Sequence, residues 1–275
     1  MKPYPGFSGQ FFSMPCRNVV PKPVQKPHPP LWVAGKPDLA ARHGLGCLGF
    51  NAMSGEQAKQ AVDRYYAPLA RDCVPLGHAI NPNIAVLAPM HVHRDPAIAR
   101  ERAEHLKFFV FSIGEYYLQG EVRPGRQRSW EVFERIRDRI PPLGGDNVMS
   151  AVGSPEEVRA QLRVLEEAGV DQLLLLHQGG KLPHEWNCES LELFAQEIMP
   201  EFHERHDARE ARKLERLAPH LAAAMARKDW PCELADDEIP VITPYGSASF
   251  IPSPEELALP AAGVSEDSKG ALGLR

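Results

Sequence analysis

The chain has little of what usually announces a function. Its five cysteines (Cys16, Cys47, Cys73, Cys188, Cys232) are scattered, with no CxxC. With that scatter, an odd count and no leader, reduced thiols in a cytoplasm are the expectation. No apolar run approaches the roughly 18 residues of a membrane span. The first residues, Met1 to Phe12, have neither the basic start nor the apolar core of a secretory leader. Net charge is −5, so no basic excess points to nucleic acid or an anionic membrane. No GxGxxG opens a helix after a strand, which leaves a Rossmann cofactor site unsupported. GxSxG and Walker patterns are missing too.

Proline is what the chain has in excess, 27 of 275 residues. Most of the excess falls before Leu31 and after Trp230. The two ends therefore read as extended and the middle as folded. From Leu31 onward, strand-like and helix-like segments alternate. Leu31-Trp32-Val33-Ala34-Gly35 reads as a buried parallel strand ending in a loop, and Cys47–Phe50 as the next. Between them Pro37–His43 reads as a short helix with proline in its first turn. Ser54, with Gln57 three residues on, spells a capping box before a helix whose apolar face is Val62, Tyr65, Tyr66 and Leu69.

NIAVLAPMHVH (Asn83–His93) reads as a long strand, after which Asp95 and Pro96 start a helix running to about Tyr117. A polar loop, Gly120–Arg128, precedes a shorter helix around Trp130, Phe133 and Ile136. Ser154, Pro155 and Glu157 begin a further helix that Gly169 ends, and Asp171–Leu176 comes next as a strand. A last helix turns Leu191, Phe194 and Ile198 inward, and a charged amphipathic helix at Glu204–Lys228 presents a solvated or partner-binding face. Strands alternating with helices of this length predict βα units and a parallel sheet or barrel.

Six motifs in order carry a resemblance. They are FSGQFF (Phe7–Phe12), PKPVQKPHPPLWVAG (Pro21–Gly35), GLGCLGFN (Gly44–Asn51), VGSPEEV (Val152–Val158), EEAGVDQLLLL (Glu166–Leu176) and ESLELFAQEIMPEF (Glu189–Phe202). Together they resemble the C-terminal half of bacterial luciferase-like flavin-dependent monooxygenases. The resemblance implies an α/β fold, a partial (β/α)8 TIM barrel holding roughly strands five to eight. Those strands would be Leu31–Gly35, Cys47–Phe50, Asn83–His93 and Asp171–Leu176. The implied organisation is an extended arm over residues 1–30 and a half-barrel over 31–203. A charged helix over 204–228 and a disordered tail over 229–275 complete it.

Sites of such barrels lie at the C-terminal strand ends. The resemblance places reduced FMN, or in some branches F420, there. Ala34, Gly35 and Lys36 would stand at its phosphate, Lys36-Pro37 replacing the family's small hydroxyl residues, and Gly49, Phe50 and Asn51 would lie under its ring. An ordinary strand end with a solvent-facing lysine, and an aromatic that belongs to the core, are the competing readings of those loops. His91, His177 and Gln178 are candidates for the substrate side. His91 and His93, at i and i+2, share a strand face; as zinc ligands they have no partner motif such as HExxH, so no metal is expected.

No catalytic acid or base stands out, because in this family the flavin carries the hard chemistry. The implied reaction joins a small organic substrate, reduced flavin and O2, with a flavin reductase as supplier. The alternative is a non-catalytic half-barrel fragment or subunit. It would be truncated or split from a separate N-terminal half, or completed in a homo-oligomer. Nucleic acid and membrane are not expected partners.

Overall fold

The structure is a computed structural model that describes residues 3–49, 54–112, 125–126, 128–140, 142–144, 150–230 and 233–241. It divides into two units, residues 1–22 with 231–275 and residues 23–230. In the first, the N-terminal arm is not simply extended. Strands β1 (Phe7–Ser8) and β2 (Ser13–Met14) pair antiparallel, and a bridge between Tyr4 and Arg17 prolongs the ladder. Phe7 and Phe12 stack edge to face at 5.0 Å across this hairpin. Gly6 sits at φ +88°, where a Cβ would meet the Met14 carbonyl oxygen at 2.7 Å; only glycine fits there.

The second unit is built on a five-stranded sheet. Its strands are β3 (Trp32–Ala34), β4 (Gly46–Gly49), β5 (Ile84–Val92), β6 (Ala151–Gly153) and β7 (Gln172–Leu176). Every pairing is parallel: β3 with β4, and β5 with β4, β6 and β7. Helices α1 (Pro37–Arg42), α2 (Gly55–Asp72) and α3 (Pro96–Ala103) follow β3, β4 and β5 in turn. Helix α4 (Ser129–Ile136) lies in the long β5–β6 connection, α5 (Pro155–Ala168) links β6 to β7, and α6 (His184–Glu197) follows β7. This is the βα order of a barrel segment, and among the described residues the sheet does not close.

The caps are those the sequence spells. Ser54 and Ser154 each accept from the N–H of the third helical residue, which reaches back to the cap N–H. The Asp95 side chain accepts from Ala97 N at 2.8 Å. Gly169 ends α5 at φ +94°. One face of the sheet is well covered: Cys47, Ile84 and Val86 pack with Val62, Tyr65 and Leu69 of α2 and Leu165 of α5.

Several expectations are corrected. Strands β3 and β7 are not buried on both faces. Trp32 is 39% exposed and Leu174 51%, because among the described residues no layer covers the side chains that alternate away from the helices. The helix beginning at Asp95 does not run unbroken to Tyr117. It ends at Ala103, tightens over Glu104–Leu106 and widens over Phe108–Ser112; Ile113 to Tyr117 lie outside the described residues. The change of pitch carries the buried Lys107 to Glu104 and to the Ile140 carbonyl at 3.2 Å.

Helix α6 turns Asn187, Ser190 and Leu193 inward and leaves Leu191 exposed. Its phase is set by Ser190, whose Oγ accepts from Val92 N at 2.8 Å. The charged helix begins earlier than expected: α7 spans Met199–Ala226, and Lys213, Leu217 and Ala224 are buried. It is a packed element with one solvated side rather than a wholly solvated face. Of the tail, residues 242–275 lie outside the described residues. Among the described residues no helix is long and apolar enough to cross a membrane.

Candidate functional site

At the end of β3, Gly35 turns the chain at φ +95°, and nothing lies within 4 Å of where its Cβ would stand. Its N–H donates to Leu48 O at 2.8 Å. Its carbonyl accepts from the Cys47 thiol at 3.0 Å. Burial pushes that thiol up to about 11, so it stays a neutral donor. Gly35 is therefore a hinge of the loop, its own polar groups already used. Lys36 stands at the N-cap of α1 with no side-chain cap, and its ammonium has no hydrogen bond or ion pair among the described residues. Asp38, in the first turn, is held by Arg64 at 3.1 Å, which offsets the one negative charge there.

Gly49 ends β4 half-buried, beside this loop; Phe50 and Asn51, the expected ring contacts, lie outside the described residues. At the end of β5 the two histidines diverge in role. His93 Nδ1 accepts from Asp95 N at 2.9 Å, and Nε2 faces Glu189 at 3.4 Å. Glu189 is shared with Arg102 at 2.6 Å. That contact holds the Glu189 carboxyl below the usual carboxylate range. His91 is fully buried, with no partner for either ring nitrogen. Burial first, then nearby Arg102, lowers it to about 4. No group of three His, Cys, Asp or Glu side chains among the described residues is placed to hold a metal.

At the end of β7, His177 Nδ1 is buried without a partner, and Gln178 Oε1 accepts from Asn187. Gly179 and Gly180 let this loop press onto Leu106 and the His105 carbonyl. Among the described residues, the candidates Ala34, Gly35, Lys36, Gly49, His91, His177 and Gln178 lie at or just beyond the C-terminal ends of their strands. Sequence reasoning did not single out Ser150, Arg102 and Asn187, which carry no local motif, or Glu189 within ESLELFAQEIMPEF. A cavity of about 750 Å³ lies instead at the opposite end, between α2 and α7. It is lined by Tyr66, Asp171, Arg209 and Lys213, whose charges are largely taken up in internal ion pairs.

A parallel sheet with helices returning over one face, and with candidate polar groups gathered at its C-terminal edge, defines the (β/α)-barrel class. Within it, the chain belongs to the luciferase-like monooxygenase family, whose model matches residues 2–172. It is 22% identical over 202 residues to the oxygenase component of the flavin-dependent trigonelline monooxygenase of Acinetobacter baylyi, covering 72% of this chain and 55% of that protein. The crystal structure of monooxygenase RslO1 from Streptomyces bottropensis shares the fold at TM-score 0.52 and 20% identity, covering 72% of this chain and 55% of that one. So does the coenzyme F420 dependent tetrahydromethanopterin reductase of Methanopyrus kandleri, at TM-score 0.52 and 16% identity, over 71% and 57% of the two chains. The chain spans about half the length of these relatives.

Proposed function

We propose that this chain is an oxygenase polypeptide that uses reduced FMN and O2 on a small organic substrate, with the FMN supplied by a separate reductase. The family match over residues 2–172 carries this reading; the name of the Acinetobacter relative, an oxygenase component, supports the reductase. The residues at β3 and β4 fit the cofactor. The open space at Gly35, the uncapped start of α1 and the unpaired ammonium of Lys36 suit a phosphate. Gly49, without a side chain, lets a flat ring approach the end of β4. Bound reduced flavin supplies the reaction with O2; the chain's own residues hold it, orient the substrate and exclude water.

FMN and riboflavin differ only in the phosphate and separate the parts of this reading. Titration should show FMN bound more tightly than riboflavin. Lys36→Ala should weaken FMN about tenfold, a loss of about 1.4 kcal/mol, and leave riboflavin unchanged. Equal affinities for the two flavins would remove the phosphate site from β3. Preference for F420 over FMN would move the chain to the deazaflavin branch.

A second reading has its own observation. Strands β3 and β7 are edge strands, and Trp32 and Leu174 are exposed on the face away from the helices. Open parallel edges and an uncovered apolar face favour pairing with another polypeptide. In this reading the chain is a half-barrel subunit, completed by a second copy or by a separate chain. Sedimentation over a concentration series should then show self-association of the pure chain, or FMN binding only after a complementary chain is added. A monomer that binds FMN unaided contradicts it.

A further inference from the structure

Two buried polar side chains, one on β5 and one immediately before β6, have no hydrogen-bond partner among the described residues. His91 is fully buried with both ring nitrogens unbonded, and Ser150 is 3% exposed with its Oγ unbonded. The β5–β6 register sets Met90 beside Ala151 and His91 beside Val152. Ser150 therefore falls beside Pro89. Alternation then puts Ser150, Val152 and His91 on one face of the sheet. Strand spacing and rise set the Cα atoms of His91 and Ser150 about 8 Å apart.

Val152 packs with Ala103, Leu106, Leu143 and Leu182, from the segment after β5 and the loop after β7. A buried donor or acceptor left unbonded is costly, and native chains keep few of them. His91 and Ser150 share one face of the sheet with Val152.

The chemistry of a ligand there is set by the groups that face it. The neutral imidazole supplies one N–H donor and one acceptor nitrogen, and the serine hydroxyl supplies one of each. Arg102 is already bonded to Glu189 at 2.6 Å, so no free cation stands ready for an anion. A carboxylate would find Arg102 already paired and the Glu189 charge close by.

We propose that His91 and Ser150 form a subsite for an uncharged polar group bearing both a donor and an acceptor, such as a hydroxyl or a carboxamide. That this group belongs to a substrate rests on the monooxygenase reading; the subsite itself does not.

Acetamide and acetate, nearly the same shape and different in charge, are the probes. Histidine side-chain ¹H–¹⁵N spectra of the whole chain report the site, with His91→Phe identifying the His91 signals. Acetamide should shift those signals saturably, and acetate should not. Ser150→Ala should weaken acetamide about tenfold, as expected for one lost hydrogen bond in a buried site. The same variant should keep or raise the melting temperature, by up to about 2–4 °C, because it removes an unbonded buried hydroxyl.

Equal response to acetate, or no response to either probe because water alone fills the space, overturns the subsite. So does a Ser150→Ala chain that melts several degrees lower with acetamide binding intact. FMN titration of the unaltered chain is the separate check: failure to bind FMN with the acetamide response intact overturns the flavin reading alone.

Discussion

Replacing Asp171 with alanine should destabilise the chain by about 3–5 kcal/mol, the range for breaking a buried ion pair by removing one partner. Asp171 joins the start of β7 to three other elements. Its Oδ2 accepts from the Tyr66 hydroxyl of α2 at 2.6 Å and from Ile84 N of β5 at 2.8 Å. Its Oδ1 accepts from Lys213 Nζ of α7 at 3.1 Å, with the two side chains 10% and 8% exposed. Burial, and then the nearby Asp171 charge, pushes the Tyr66 hydroxyl up, so it remains a donor at any ordinary pH.

Alanine leaves the Ile84 N–H and part of the Lys213 charge unanswered in the interior. Lys213→Met is the milder change, about 1–3 kcal/mol, because Asp171 keeps its two other donors. Urea denaturation followed by circular dichroism measures both. A cost below about 1 kcal/mol for Asp171→Ala would mean that water reaches this cluster and that α7 is not pinned to the sheet by it.

Acid should weaken the fold well before its carboxylates titrate. His91 is lowered to about 4 in the folded chain, against an ordinary value of 6.5. Between those values the unfolded chain takes up a proton that the folded chain does not. The stability belonging to neutral His91 is therefore complete above pH 6.5 and falls away as pH drops toward 4. The full loss is about 3 kcal/mol, from a difference of about 2.5 pH units.

The charged groups that face His91 are Arg102, His93 and Glu189. Arg102 opposes the added proton, and Glu189, already bonded to Arg102, offsets only part of that. His91→Phe should flatten the profile between pH 6.5 and 4 and leave the steeper carboxylate limb below it. Stability measured at a series of pH values decides the matter. A slope that survives in His91→Phe would assign it to other groups.

Local signals were legible where the physics is local. Ser54 with Gln57, Ser154 with Glu157, and Gly169 are complete instructions within one turn of chain, and each is realised. The apolar runs of β3 and β7 were legible as strands, but not their exposure. A strand covered on both faces and one covered on a single face can carry the same Val, Leu and Ala; the neighbour that decides is not written into the run. Of the three expected inward residues after β7, Phe194 and Ile198 pack in the core, and Leu191, at the same helical spacing, is exposed. The polar Ser190, bonded to Val92 N, takes the inward place instead.

The candidate site divides along the same line. Gly35 and Lys36 come directly after an apolar run, and a glycine there points to a loop. That Gly35 spends its own N–H and carbonyl on Leu48 and Cys47 depends on a parallel pairing that the sequence does not display. Ser150 had no signal beyond a lone hydroxyl before Ala151-Val152-Gly153. Its place on the same face as His91 follows from the β5–β6 register, which joins residues separated by the whole of α3 and α4.

The most direct test of the flavin assignment is a crystal structure of this chain grown with reduced FMN in the absence of oxygen. The account predicts the phosphate at the β3–α1 loop, within reach of the Lys36 ammonium, with the ring lying across the end of β4. A phosphate held elsewhere, or a well-ordered β3–α1 loop that leaves FMN unbound at saturating concentration, would contradict it.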